Sequence, residues 1–254
     1  MQKLRIIYPL NNLHLRKWTG VILILTPLVT IVFFTLLQIT FDYPDILRAP
    51  TDKILRQFQA GGSALIVMWY GLMFSAVLFV PLTVMLHKIL AQENLPFLDV
   101  ATTIGVIAGV VQFLGLVRWP FLVPYLVQTY LDPASSPATR EAVAVVFQTF
   151  NQYVGVGLGE HLGFLFTGIW TVLIGLAMLK SPLFKPWLGW LGIVPAIGIF
   201  SGIFEQVGFQ AAADINAISY IVWSVWLIIT GIFILRSVPQ GVVQPNVSQS
   251  TALA

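Results

Sequence analysis

GVILILTPLVTIVFFTLLQI, residues 20–39, is twenty consecutive positions without an Asp, Glu, Lys, Arg or His. A helix crossing a hydrocarbon core of about 30 Å needs roughly 20 mostly apolar residues. Lys3, Arg5, Arg16 and Lys17 precede the run, as in a secretory leader. The run is too long for a leader, however, and no small-residue cleavage site follows before Phe41 and Asp42. We read it as a retained first span.

Comparable runs recur along the chain. They are 63–86, closed by His87 and Lys88; 100–117, stopped by Arg118-Trp119-Pro120; 158–179; 187–207; and 215–235. Of the 254 residues, 57% are hydrophobic and 9% charged, against about 25% charged in a soluble domain. Mean hydropathy is +0.88. A water-soluble globule is excluded, and so is disorder, which goes with few aromatics and much charge. The expected fold is an all-α polytopic integral membrane bundle of six transmembrane helices plus short interfacial helices. Residues 1–237 are expected to form a single domain, with 238–254 as a disordered cytoplasmic tail.

Two stretches fit this count poorly. As one helix, 142–179 would be roughly 57 Å long, so a break or bend near Gly155, Gly157 and Gly159 is expected, with an interfacial first half. The segment 121–131 is apolar but short and contains Pro124, which reads as an interfacial or re-entrant piece. A short amphipathic helix is expected over 51–59.

With the N-terminus inside, Lys3, Arg5, Arg16, Lys17, Lys88, Lys180, Lys185 and Arg236 fall on inner faces. Arg48, Lys53, Arg56, Arg118 and Arg140 fall on outer ones. The excess of positive charge inside places both termini in the cytoplasm and the protein in the cell membrane. Zero Cys removes disulfides, thiolate-bound zinc and iron–sulfur clusters. His14, His87 and His161 lie at different levels, so neither metal nor cofactor is expected. The absence of any basic run argues against nucleic acid as a partner.

Acids and bases at membrane depth are costly and point to function. Arg118 lies 18 residues from Val100, Glu160 19 from Leu179, and Glu205 18 from Trp187. Each is therefore about 27–29 Å from the inner boundary, so three helices bring a charge to one level, near the outer edge of the core. Gln112, Asn151 and Gln206 are close by in sequence, and amides at such depth need partners. His161 follows Glu160 at about 100° around a helix, so adjacency alone does not pair them. Snorkelling at the headgroup level would also explain the charges; the amides favour a pocket.

Gly105-x-x-x-Gly109, Gly159-x-x-x-Gly163 and Gly198-x-x-x-Gly202 permit close helix approach in the three spans that bear these charges. Spans three to five are expected to form the core, with one and two peripheral, and Glu205 near the packed face. Trp18, Trp187, Trp190 and Trp119 read as boundary residues; Trp223 and Trp226 read as core.

Val117-Arg118-Trp119-Pro120, Gly159-Glu160-His161-Leu162-Gly163 with Trp170, Trp187-Leu188-Gly189-Trp190-Leu191-Gly192, Gly202-Ile203-Phe204-Glu205 and Trp223 to Ile228 with Gly231 carry a resemblance. Together they resemble an uncharacterised prokaryotic membrane family, domain of unknown function 4386. The resemblance implies a small six-span helical protein and supplies no reaction or ligand.

Three functions compete. The favoured one is binding or transport of a small or amphiphilic molecule, lipid included, in a polar pocket on the outer-leaflet side built on Arg118, Glu160 and Glu205. A membrane enzyme would use Glu160 or Glu205 as acid or base with His161 assisting, but no HExxH, GxSxG or Walker loop is present. A structural or assembly protein would use the charges only to lock the bundle. Oligomeric state is not legible.

Overall fold

The structure, a computed structural model, describes residues 11–237. The tail 238–254 and the N-terminal Lys3 and Arg5 lie outside the described residues. Helices α1 (Asn11–Phe41), α2 (Thr51–Leu90), α3 (Leu98–Leu131) and α4 (Pro137–Phe150) are followed by a π-helix (Asn151–Leu162). Next come α5 (Gly163–Lys180), α6 (Pro186–Ser201) with a 3-10 extension (Gly202–Val207), and α7 (Ala212–Arg236). Six helical stretches are long and apolar enough to cross a membrane, and no strand occurs among the described residues. The protein is a multi-pass, all-α membrane bundle.

Side-chain bonds between connections identify the two ends of the bundle. Arg16 Nη1 donates to Ser237 O at 3.3 Å and Ser181 Oγ to Glu93 Oε1 at 2.8 Å. The start of α1, the end of α7 and the α2–α3 and α5–α6 turns therefore share one face, here called proximal. Gln148 Nε2 donates to Thr51 Oγ1 at 3.0 Å and ties α4 to the start of α2 on the distal face.

The long helices correct one expectation and sharpen another. At 34 residues, α3 runs for roughly 51 Å, and 121–131 is its continuation rather than a re-entrant segment. Pro120 and Pro124 lie four apart, so the backbone donors they remove fall on one side of the helix. The opposite pull is packing: Trp119, Val123, Leu126 and Val127 bury at three- and four-residue spacing. The chain from Pro137 to Lys180 is also unbroken. Where a break or bend was expected, the backbone does not break but widens into the π-helix, which keeps its carbonyls and amides bonded within the segment, as an apolar surround requires.

The short helix expected over 51–59 forms the first part of α2. Thr51, Ile54, Leu55 and Phe58 are its buried face, and Arg56 pairs with Asp52 on the exposed one at 2.8 Å. It is set off by a kink at Gly62, where φ is 54° and ψ −148°, a region essentially closed to residues with a Cβ.

Buried side chains form two clusters. The proximal one contains Leu23, Phe79, Leu82, Leu86, Ala108, Trp170, Leu188 and Trp226. The distal one contains Leu37, Phe41, Phe58, Trp69, Trp119, Val123 and Phe147. Helix α2 threads both, so it is not peripheral as expected. Trp119 is fully buried and stacks on Trp69 with centroids 4.3 Å apart, which removes it from any boundary belt. It is the distal anchor, with Phe41 edge-on at 5.5 Å. Trp223 and Trp226 are core as expected, donating to Thr171 Oγ1 and Leu188 O, each at 2.9 Å. Helices α6 and α7 join the proximal cluster alone. Between the clusters runs a seam that includes α3 from Gln112 to Arg118 and the π-helix.

Candidate functional site

The seam is polar because its sequence is. On α3, Gln112 and Arg118 interrupt an apolar helix, with Gly115 between them. Gly115 meets Gly159 of the π-helix so closely that a Cβ on Gly115 would lie 2.5 Å from the Gly159 Cα. That approach brings Arg118 against the π-helix. Its Nη2 donates to Asn151 Oδ1 at 3.1 Å, and its Nη1 donates to Gly115 O. The guanidinium fits beside Gly155, where a Cβ would fall 2.5 Å from Nη2. It also stands 5.2 Å over the ring of Trp119, a cation–π distance.

Glu160 and Glu205, which the sequence brings to the level of Arg118, are therefore not paired with it. Among the described residues the ion pairs are Arg48–Asp45 and Arg56–Asp52, with His87 Nε2 3.8 Å from Asp99 Oδ1, and none involves Arg118. The guanidinium is occupied by a carbonyl and an amide, both closer along the packed helices than any carboxylate.

Glu160 nonetheless sits at the electrical centre of the seam. Arg118, Glu205 and Tyr220 are all within electrostatic reach of its carboxylate. So is Tyr43, in the connection between α1 and α2, whose phenol is pushed well above its ordinary range, first by burial and then by Glu160, with Arg118 opposing. No hydrogen bond or ion pair joins Glu160 or His161 to another described side chain. Glu205 and Gln206 lie on the 3-10 extension of α6 and are exposed, which corrects the placement of Glu205 near the packed face. The extension stops at Gly208, where φ is 91°, and its shortness leaves both side chains at the margin of the seam.

From this level a polar track descends into the proximal half. Gln112 Nε2 donates to Thr167 Oγ1 at 3.0 Å, and Tyr220 lies near the same threonine. Thr171 Oγ1 donates to Thr167 O at 2.8 Å and accepts from Trp223 Nε1. The glycine pairs read from sequence all face packed neighbours: Gly105 and Gly109 meet Thr83 and Val80 of α2, Gly163 meets Gln112, and Gly198 and Gly202 meet Ser219 and Asn216 of α7.

The structure thus brings together Arg118, Asn151, Gln112 and Glu160, with Glu205 at reach but outside. Tyr43, Gly115 and Tyr220 were not found from sequence. For Tyr220 a signal existed, a hydroxyl inside an apolar span that must find a partner; for Tyr43, 75 positions before Arg118 by number, there was none. Among the described residues no three potential metal ligands come together.

The family described as Domain of unknown function (DUF4386) matches residues 18–231. The chain belongs to that family. No curated protein and no solved structure matches it. The DUF4386 match takes in the distal cluster, all of the proximal cluster except Ile234, and every residue of the seam from Tyr43 to Tyr220.

Proposed function

We propose that this DUF4386 protein binds or carries a small or amphiphilic molecule in the polar seam around Glu160 and Arg118. One observation carries the reading. Arg118 is engaged by Asn151 and Gly115 O, which leaves the Glu160 carboxylate without a hydrogen bond or ion pair among the described residues. A charge lock would need a direct Arg–carboxylate pair, whereas a binding site needs a carboxylate held in place and uncommitted. An uncommitted carboxylate among apolar spans suits a basic or hydrogen-bonding group on an apolar body. We place the seam toward the outer leaflet of the cell membrane, with both chain ends cytoplasmic, on the excess of Lys and Arg at the proximal face.

The test uses two fluorescent amphiphiles, a rhodamine cation and a dansylated fatty acid anion, titrated into the purified protein in detergent. Saturable binding of the cation is expected, with affinity lowered about tenfold in Glu160→Gln, the loss of one charge-assisted contact. Thermal unfolding of the variant should stay near wild type. Binding of neither probe, or cation binding indifferent to Glu160→Gln, sinks the reading.

A further inference from the structure

A second site is built on the proximal face, between the last turn of α2 and the first turns of α3. A groove of about 460 Å³ is lined there by His87, Lys88, Asp99, Thr102, Val106 and Ile107. Its polar end has a defined arrangement of donors and acceptors. Thr102 Oγ1 donates its one proton to Leu98 O at 2.9 Å. The 2.7 Å contact between Thr102 Oγ1 and His87 Nδ1 must then run from an Nδ1–H to the hydroxyl oxygen, which assigns the tautomer from the network. In the neutral ring Nε2 is left as an acceptor, 3.8 Å from Asp99 Oδ1. Two acceptors thus face the groove side by side, and Lys88 supplies a cation on the same rim, with no ion pair among the described residues. The apolar end leads outward at Ile107 onto an exposed stripe of α3, Val110 and Leu114, at helical spacing.

We propose that this groove holds a membrane phospholipid with a primary-ammonium headgroup. The ammonium donates N–H bonds to Asp99 Oδ1 and His87 Nε2, the phosphate lies against Lys88, and an acyl chain follows Ile107, Val110 and Leu114. An acid and a base on one groove match a zwitterion. The two acceptors select against a quaternary ammonium, which has no N–H to give. This site is independent of the seam around Glu160, which lies toward the other end of the bundle.

The full chain is reconstituted in nanodiscs that mix phosphatidylcholine with phosphatidylethanolamine in one arm and with phosphatidylglycerol in another, and retained lipid is read by native mass spectrometry. The ethanolamine lipid should be enriched about tenfold over the choline lipid. That enrichment should disappear in Asp99→Asn and fall in Lys88→Gln, and should survive in Arg48→Gln, a change at an exposed charge on the distal face. Lys88 and Asp99 are themselves exposed, so neither change empties the core. If the two charges served only the helix dipoles, the variants would lower thermal stability and leave lipid selectivity untouched. Equal retention of all three lipids, a preference that survives both changes, or a glycerol-lipid preference that depends on Lys88 alone would overturn the proposal.

Discussion

Gly115 and Gly159 let two backbones touch, and the seam exists because they do. Gly115→Ala forces a Cβ against a backbone atom that has no rotamer to yield. Overpacking of this kind costs about 1–3 kcal/mol, so thermal unfolding should drop and the amphiphile site should weaken with it. Tyr43 makes a separate prediction. Its phenol is raised in the folded state, so the neutral hydroxyl contributes stability at low and neutral pH, and that contribution is lost as pH climbs past the ordinary tyrosine value of about 10. Tyr43→Phe should therefore lose less stability between neutral and strongly alkaline pH than wild type, as followed by thermal unfolding. At this scale, polarity inside apolar runs was enough to find Arg118, Glu160, Gln112 and Asn151. Pairing was not legible, because a glycine in the right register decided which partner Arg118 would reach first.

The π-helix is the element on which the site depends. Glu160 points into the seam only if the turns before it stay wide. At Gly157 the nearest non-neighbour atom to an added Cβ is 3.6 Å away, at Gln152 O. Deleting this residue should tighten the segment toward α-helical winding with little direct loss of packing. One residue fewer turns what lies beyond by about 100° relative to what precedes it. The expected outcome is unchanged helical circular dichroism with loss of cation binding; binding at wild-type strength would show that the wide turns are dispensable. The sequence contained the cue, three glycines in alternate positions, yet glycines signal a break as readily as a widening. The deciding term was the absence of water to satisfy broken backbone bonds. Likewise Pro120 and Pro124 looked like a stop, and only the Trp119–Trp69 stack explains why α3 continues.

For the whole molecule, six spans put Asn11 and Ser237 on the same face, and the proposed orientation makes that face cytoplasmic. The lack of any native Cys makes this directly testable. Ala134→Cys, on the distal α3–α4 connection, should react with an impermeant maleimide in intact cells. Ala91→Cys, on the proximal α2–α3 connection, should react only after permeabilisation. The reverse pattern would invert the topology while leaving the fold intact. Span number and class were plain from hydropathy. The division of the interior was not, since both clusters use the same apolar residue types and only the tertiary structure separates them.

Two apolar clusters on either side of a polar seam also make the bundle mechanically uneven. Drawn out by its C-terminal end, the molecule first surrenders α7 and α6, which grip the proximal cluster alone. The distal cap of α1 to α4 contains the Trp69–Trp119 stack and does not depend on them. It should hold as a separate barrier, so that force–extension traces show two ruptures, with the second little changed when the cation fills the seam and the first displaced to higher force.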